Sequence, residues 1–295
     1  DELQGAHAPV GLAMLGGAFV FGATMQIVLG CGSGVLVNAG SGNLMAVLAL
    51  LGFIAGSFLG TLHLQWWTAL GSLPVLTLQG SLGERAGLWL TLIGLAALAV
   101  LVVRLSTPGQ RLPSVRLWLA AILVAALAIL NLMVAGQSWG VVYGLGLWGA
   151  KVGQAVGLDV LATGFWAAPD HAERLRQSLL TDVTSLTNIG IIVGAFVAMR
   201  WRLDPGPQVP LGNTLGRLGI LVSGLLLGYS ARIAFGCNVG AYFSGIATGS
   251  VHGWVRFASA FAGSALALQA RPRVLRWLSL NAAATSAAAA ENVHT

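Results

Sequence analysis

The chain contains two cysteines, and each stands in a glycine-rich stretch of the same design. One reads Gly30-Cys31-Gly32-Ser33-Gly34 and runs on through Val-Leu-Val-Asn-Ala-Gly-Ser-Gly to Asn43; the other reads Gly236-Cys237-Asn238-Val239-Gly240 and runs on to Ser250. A thiol is a weak donor and a soft, polarisable contact, suited to a sulfur-bearing ligand that it need not attack. A buried cysteine also serves as a small hydrophobe, but repetition inside two matching breaks argues for a shared role. Breaking an apolar helix frees N–H groups at the start of the next one, and these, with the dipole behind them, suit an anion. Gly32, Ser33, Gly34, Asn38, Asn238, Gly240 and Ser244 are the candidate donors. Tight packing by small residues accounts for most of the other glycines.

Four further groups qualify as candidates. Arg232 lies five residues before Cys237 within an apolar run, where an unpaired charge costs several kcal/mol, of order ~3 on insertion scales, so it reads either as functional or as an arginine reaching carbonyls. Lys151 poses the same question, with Asp159 as its candidate partner. Gln137, Ser138 and Trp139 close an apolar run and read as lining an entrance or marking the membrane interface. His252 and Arg256 follow the second break at helical spacing, as donors or as interface anchors. No carboxylate pair lies within the apolar runs, which speaks against proton coupling. No nucleotide loop, haem ligand set or zinc pattern is present, so no cofactor is expected.

The elements that must position these residues are membrane helices. Of 295 residues, 56% are hydrophobic and 8% charged, against about a quarter charged in soluble domains. Apolar runs such as Leu88–Val103, Leu117–Ala135 and Leu218–Leu227 recur without the alternation of a transmembrane barrel. The expected fold is an all-α polytopic membrane protein with about eight or nine transmembrane helices and short re-entrant helices. Residues 1–8 form a polar lead, 9–278 one transmembrane domain with halves near 9–135 and 136–278, and 279–295 a disordered tail. The stretch Leu64–Gly83, with Trp66, Trp67 and Pro74, reads as interfacial or re-entrant, and Asp159–Asp182 as an interfacial amphipathic segment of open role. No cleavable leader is visible, and the missing initial Met predicts a chain whose numbering begins inside a longer sequence or after processing. Two distant thiols do not make a disulfide framework.

The net charge of +6 does not point to nucleic acid, because the basic residues sit in short loops. With the loop Arg104–Arg116 inside by the positive-inside rule, the charges place the N-terminus outside and the C-terminus inside. With Cys31 set on Cys237, Gly22 falls on Gly228, Thr24 on Ser230, Gly34 on Gly240 and Asn38 on Ser244. After a one-residue insertion Gly42 falls on Gly249 and Gly56-Ser57 on Gly263-Ser264. An internal duplication is expected, with its copies antiparallel: an inverted repeat that brings the two breaks together from opposite faces near the midplane.

Three stretches carry a resemblance to a known family. They are the Cys31 segment through Asn43; Gly136-Gln137-Ser138-Trp139-Gly140 with Leu147-Trp148-Gly149-Ala150-Lys151; and Ala231-Arg232-Ile233-Ala234-Phe235-Gly236-Cys237-Asn238-Val239-Gly240 continuing to His252-Gly253-Trp254. With them the chain resembles the YeeE/YedE membrane proteins, whose characterised members import thiosulfate. The resemblance implies a bacterial inner-membrane protein with short helices inside a pseudo-symmetric pore. It further implies pore cysteines that contact thiosulfate or a similar sulfur anion through S–H groups, and a cytoplasmic sulfur-carrier protein downstream. The importer in question uses three such cysteines. Only Cys31 and Cys237 are present here.

Overall fold

The computed structural model describes residues 4–28, 30–106, 113–201 and 213–277. The predicted tail 279–295, Leu29, Arg111, Arg202 and the prolines at 108, 205, 207 and 210 lie outside them.

The chain opens with a short strand β1 (Pro9–Gly11) and helix α1 (Leu12–Val28), breaks at Cys31, and resumes as α2 (Gly32–Gly40). Helix α3 (Leu44–Thr68) starts at Asn43, whose Oδ1 accepts from the N–H groups of Met45 and Ala46, satisfying two otherwise orphaned donors. Strand β2 (Ser72–Val75), α4 (Leu78–Leu82), α5 (Glu84–Leu105) and α6 (Val115–Ala135) follow. Gly136 ends α6 in the left-handed conformation, φ 67°, that a residue without Cβ adopts freely. Next come α7 (Val141–Ala155), a 3-10 turn (Val160–Ala162), α8 (Pro169–Arg176) and α9 (Val183–Trp201). Helix α10 (Thr214–Ile233), capped by Asn213, breaks at Cys237 into a π-helical turn (Asn238–Phe243), a single turn α11 (Ser244–Ala247) and the long α12 (Val251–Trp277).

Among the described residues, six runs are long and apolar enough to cross a membrane: Leu12–Gly40, Leu44–Thr68, Glu84–Leu105, Val115–Ala135, Val183–Trp201 and Thr214–Ala247. This is a predominantly helical, multi-pass membrane protein. Helices α7 and α12 fall outside these six, α7 having 15 residues and α12 carrying Arg256, Arg271, Arg273 and Arg276. The predicted interfacial piece Leu64–Gly83 does not form an apolar span. Its first residues extend α3, and β2 then pairs antiparallel with β1, Gly11 opposite Ser72.

Glycine packing sets the core. On α3, Gly52 abuts the carbonyl of Leu221 and Gly56 that of Leu225, while Gly60 abuts the Arg232 side chain; the two helices therefore run in the same direction in close contact. On α12, Ser259 donates to Leu15 O at 2.7 Å, Gly263 abuts Phe19 and Ser264 donates to Gly22 O at 2.9 Å, so α12 runs with α1. The β1–β2 pairing puts the start of α1 beside the end of α3, and so α1 opposes both α3 and α10. The contacts are reciprocal: Gly22 abuts Ala260 as Gly228 abuts Phe53, and Gly263 abuts Phe19 as Gly56 abuts Leu225. In a membrane such close backbone approach, rather than a hydrophobic driving force, holds helices together. Phe21, Leu36, Phe53, Leu145 and Leu227 fill the centre around Cys237.

A candidate anion site at two helix breaks

Both cysteines occupy the residue before a new helix, with nearly the same backbone: φ −82°, ψ −173° at Cys31 and φ −92°, ψ −169° at Cys237. The following turns match as well, Val35 N donating to Cys31 O at 2.8 Å and Ala241 N to Cys237 O at 2.9 Å. Neither side chain makes a close capping hydrogen bond. The first-turn N–H groups that follow are those of Ser33 and Gly34 after Cys31 and of Val239 and Gly240 after Cys237. The Cys237 side chain packs against Gly32, the residue that follows Cys31, so the two thiols stand at adjoining breaks. Gly32 makes this approach possible, because a Cβ there would stand 3.2 Å from the Cys237 Cβ and 3.4 Å from its sulfur. Cys237 is buried and Cys31 partly accessible, and neither is in a disulfide.

Arg256 fixes the second break. Fully buried, it donates from Nη2 to Gly236 O at 2.8 Å and from Nη1 to Asn238 Oδ1 at 3.3 Å, with its guanidinium 4.7 Å from the Phe21 ring centre. This locks a strained turn, since Phe235 has φ 59° and Gly236 φ 148°.

Beside this break lies a cavity of about 370 Å3, lined by Gln4–Ala6, Gln137–Tyr143, Asp170, His171, Arg174, Thr184, Arg232, Phe235, Gly236 and Gly240. Arg232 is buried between two aromatic faces, its guanidinium 4.7 Å from the Phe165 centre and 5.4 Å from that of Tyr143. Its Nε and Nη2 have no hydrogen-bond partner among the described residues. Arg174 donates to Gln137 Oε1 at 2.8 Å and lies 3.7 Å from Asp182. His171 stacks on Phe165 and shares a 3.0 Å hydrogen bond with Tyr143 Oη. Burial, reinforced by Arg232 and Arg174, holds its imidazole below the usual value.

Residues 2–266 match the family described as Sulphur transport. The chain belongs to that family. The matched range takes in both cysteine breaks, Arg232 and Arg256. The thiosulfate transporter TsuA of Spirochaeta thermophila is 26% identical over 263 residues, covering 81% of this chain and 71% of that protein. The probable transporter YedE of Escherichia coli and that of Salmonella typhimurium are each 28% identical over 121 residues, 41% of this chain. The match spans 29% of the length of each YedE protein.

Within this member of the family, the sequence candidates separate into groups. Cys31, Gly32, Ser33, Gly34, Cys237 and Gly240 gather at the facing breaks, with Ser33 Oγ 3.3 Å from Cys31 Sγ. Asn238 flanks them, held by Arg256 and donating to Met25 Sδ at 3.4 Å. Gln137 and Arg232 belong to the adjoining cavity. Asn38 lies two turns along α2, its carbonyl accepting from Asn43 N. Ser244 lines a separate apolar cavity with α6. Lys151 sits apart, donating to the carbonyls of Leu175 and Gln177, while Asp159 caps its own turn at Ala162. Buried His252 bonds Ser250 Oγ at 2.7 Å. Tyr143, Phe165, His171 and Arg174 were not singled out as ligands by the sequence; the only signal was that 159–182 is the most polar internal segment.

Proposed function

We propose that this protein carries thiosulfate or a related small sulfur anion across the bacterial inner membrane, through a central path on which Cys31 and Cys237 form the narrow station. The observation that carries this reading is that the chain's two thiols stand at two matching helix breaks, with Cys237 packed against the Gly32 that follows Cys31. The family and the thiosulfate relative support the class of cargo. At the station the thiols contact the terminal sulfur, while N–H groups of Gly32, Ser33, Gly34 and Gly240 receive the oxyanion end. Arg232 biases the path toward anions. No covalent sulfur intermediate is needed, so the protein acts as a carrier and not as an enzyme.

The architecture in this proposal is an inverted repeat within one transport domain, residues 9–278, with halves near 9–135 and 136–278, about eight or nine crossing helices and short helices at the breaks. Reciprocal packing of Gly22 on Ala260 and Gly228 on Phe53, and the opposed course of α1 and α10, support it. The charge pattern supports an outer N-terminus and an inner C-terminus, which puts the cavity lined by Gln4 and Gln137 on the outer side. A cytoplasmic sulfur-carrier protein is the natural recipient, and lipid surrounds α5 and α6, whose surfaces are largely exposed.

The packing of Cys237 against Gly32, next to Cys31, favours one second reading, a membrane thiol-redox or sulfurtransferase protein that forms a Cys31–Cys237 disulfide or a persulfide. Intact mass spectrometry of purified protein turned over with thiosulfate separates the two: the carrier keeps its unmodified mass, whereas the second reading gives a gain of one sulfur for a persulfide or a loss of two hydrogens for a disulfide. The transport reading itself is tested by thermal stabilisation across a panel of sulfur and selenium anions, because a ligand that binds only the folded state raises its stability. Thiosulfate is expected to stabilise the wild type, and to stabilise Cys31→Ala and Cys237→Ala less. Equal stabilisation of all three removes the thiols from the site.

A further inference from the structure

Arg232 is a buried cation whose hydrogen-bonding capacity is unspent. It is 8% exposed, and its Nε and Nη2 find no acceptor among the described residues. Tyr143 and Phe165 flank the guanidinium, which stabilises the charge but leaves its edge free, because an aromatic face accepts no directed N–H bond of ordinary strength. Two glycines make the slot. A Cβ on Gly60 would stand 2.8 Å from the Arg232 Cβ, and one on Gly146 would stand 3.3 Å from Nη2. Among the described residues no carboxylate forms an ion pair with it. Asp182, the buried acid nearby, is taken up by Thr184 Oγ1 at 2.6 Å, the N–H of Ser185 at 2.7 Å and Arg174. Asp170 is exposed.

A buried cation without an acceptor is costly, and an anion is the partner that relieves it. The cavity beside it has room for a tetrahedral oxyanion and several waters, and it brings Arg174, Ser138 and the Tyr143–His171 pair to the same space. None of these groups is a soft sulfur contact. All are hard donors matched to the oxygen end of an anion.

We propose that this cavity is a binding site in its own right, a vestibule that takes a doubly charged tetrahedral oxyanion at Arg232 without help from the thiols. The inference rests on the transport reading only for the identity of its working ligand. Selection is divided in two. The vestibule accepts sulfate and thiosulfate alike, because both present an oxygen face with two negative charges. The thiol station beyond it distinguishes them, because only thiosulfate offers a sulfur atom. Sulfate is therefore a competitor at the mouth that is not carried through.

Inorganic sulfate is the probe. Its binding to the full protein in detergent is followed by thermal stabilisation and calorimetry, with chloride at matched ionic strength as the control. Sulfate is expected to bind the wild type and the Cys31→Ser/Cys237→Ser variant with equal affinity, and to bind Arg232→Gln about tenfold or more weakly. Should Arg232→Gln not fold, Arg174→Gln, which removes the second cation from a more accessible position, is expected to weaken sulfate severalfold. Sulfate that does no more than chloride, that binds the arginine variants as well as wild type, or that is lost with the thiols overturns the proposal. Its failure is distinct from failure of the transport reading. Cysteine-dependent thiosulfate uptake with no sulfate site sinks only the vestibule, and a sulfate site without uptake sinks only transport.

Discussion

Arg256, fully buried on α12, donates a 2.8 Å hydrogen bond to the carbonyl of Gly236, the residue before Cys237. The position of one thiol thus depends on a cation from the helix that follows its break. Replacing Arg256 with Met keeps most of the volume but orphans Gly236 O and loosens Asn238. A stability loss of about 2–3 kcal/mol is expected, read as a melting temperature about 5–10 °C lower in detergent. An unchanged melting temperature removes Arg256 from the support of the break.

The glycines differ sharply in what they do. An added Cβ at Gly22 or Gly56 runs into the carbonyl of Ala260 or Leu225, whereas one at Gly16 meets nothing within 4 Å. Gly22→Ala and Gly56→Ala are therefore expected to lower thermal stability by several degrees. Gly16→Ala is expected to be neutral or slightly stabilising, since Ala favours a helix by about 1 kcal/mol over Gly. Equal behaviour of the three variants contradicts the packing described here.

Because Cys237 packs against Gly32, next to Cys31, mild oxidation with diamide is expected to join Cys31 to Cys237. Peptide mapping without reductant checks this by the appearance of the linked pair and the loss of two hydrogens from the intact mass. Reductant should reverse it. Free thiols after full oxidation mean that the two sulfurs do not meet.

His171 gives the pH dependence a sign. Its folded-state value is held below the ordinary imidazole value by burial, Arg232 and Arg174, so the unfolded chain binds the proton more readily. The stability it contributes is fully present above the unfolded value, about 6.5, and is lost as the pH falls through the lower folded value. Tyr143 and Asp170 also face it. In His171→Phe the decline in melting temperature between about pH 7 and 5 should be shallower than in wild type; an identical decline assigns it to other groups.

The thiols were legible in the sequence because cysteine is rare here and both copies fall in the same register of glycines. Arg232 was legible because a charge inside an apolar run needs a reason. The other groups around it were not, because Tyr143 comes from α7, Phe165 from the turn after it and His171 and Arg174 from α8, and only folding sets Tyr143 and Phe165 against the guanidinium with Arg174 and His171 behind them. Lys151 illustrates the converse. Sequence shows a cation in an apolar stretch, but not the carbonyls of Leu175 and Gln177 that occupy it. The end of α3 at Thr68 was blurred because its apolar run continues past a turn, and the β1–β2 pairing joins segments some sixty residues apart. The six runs long and apolar enough to cross a membrane among the described residues were legible from composition, since apolar length is a local property of sequence.

The most direct test of the central claim is uptake of radiolabelled thiosulfate into liposomes holding wild-type protein, Cys31→Ala or Cys237→Ala at equal, verified incorporation. Uptake by the wild type and its loss in each single variant, with folding intact, is the predicted result. Full uptake by both variants contradicts the account.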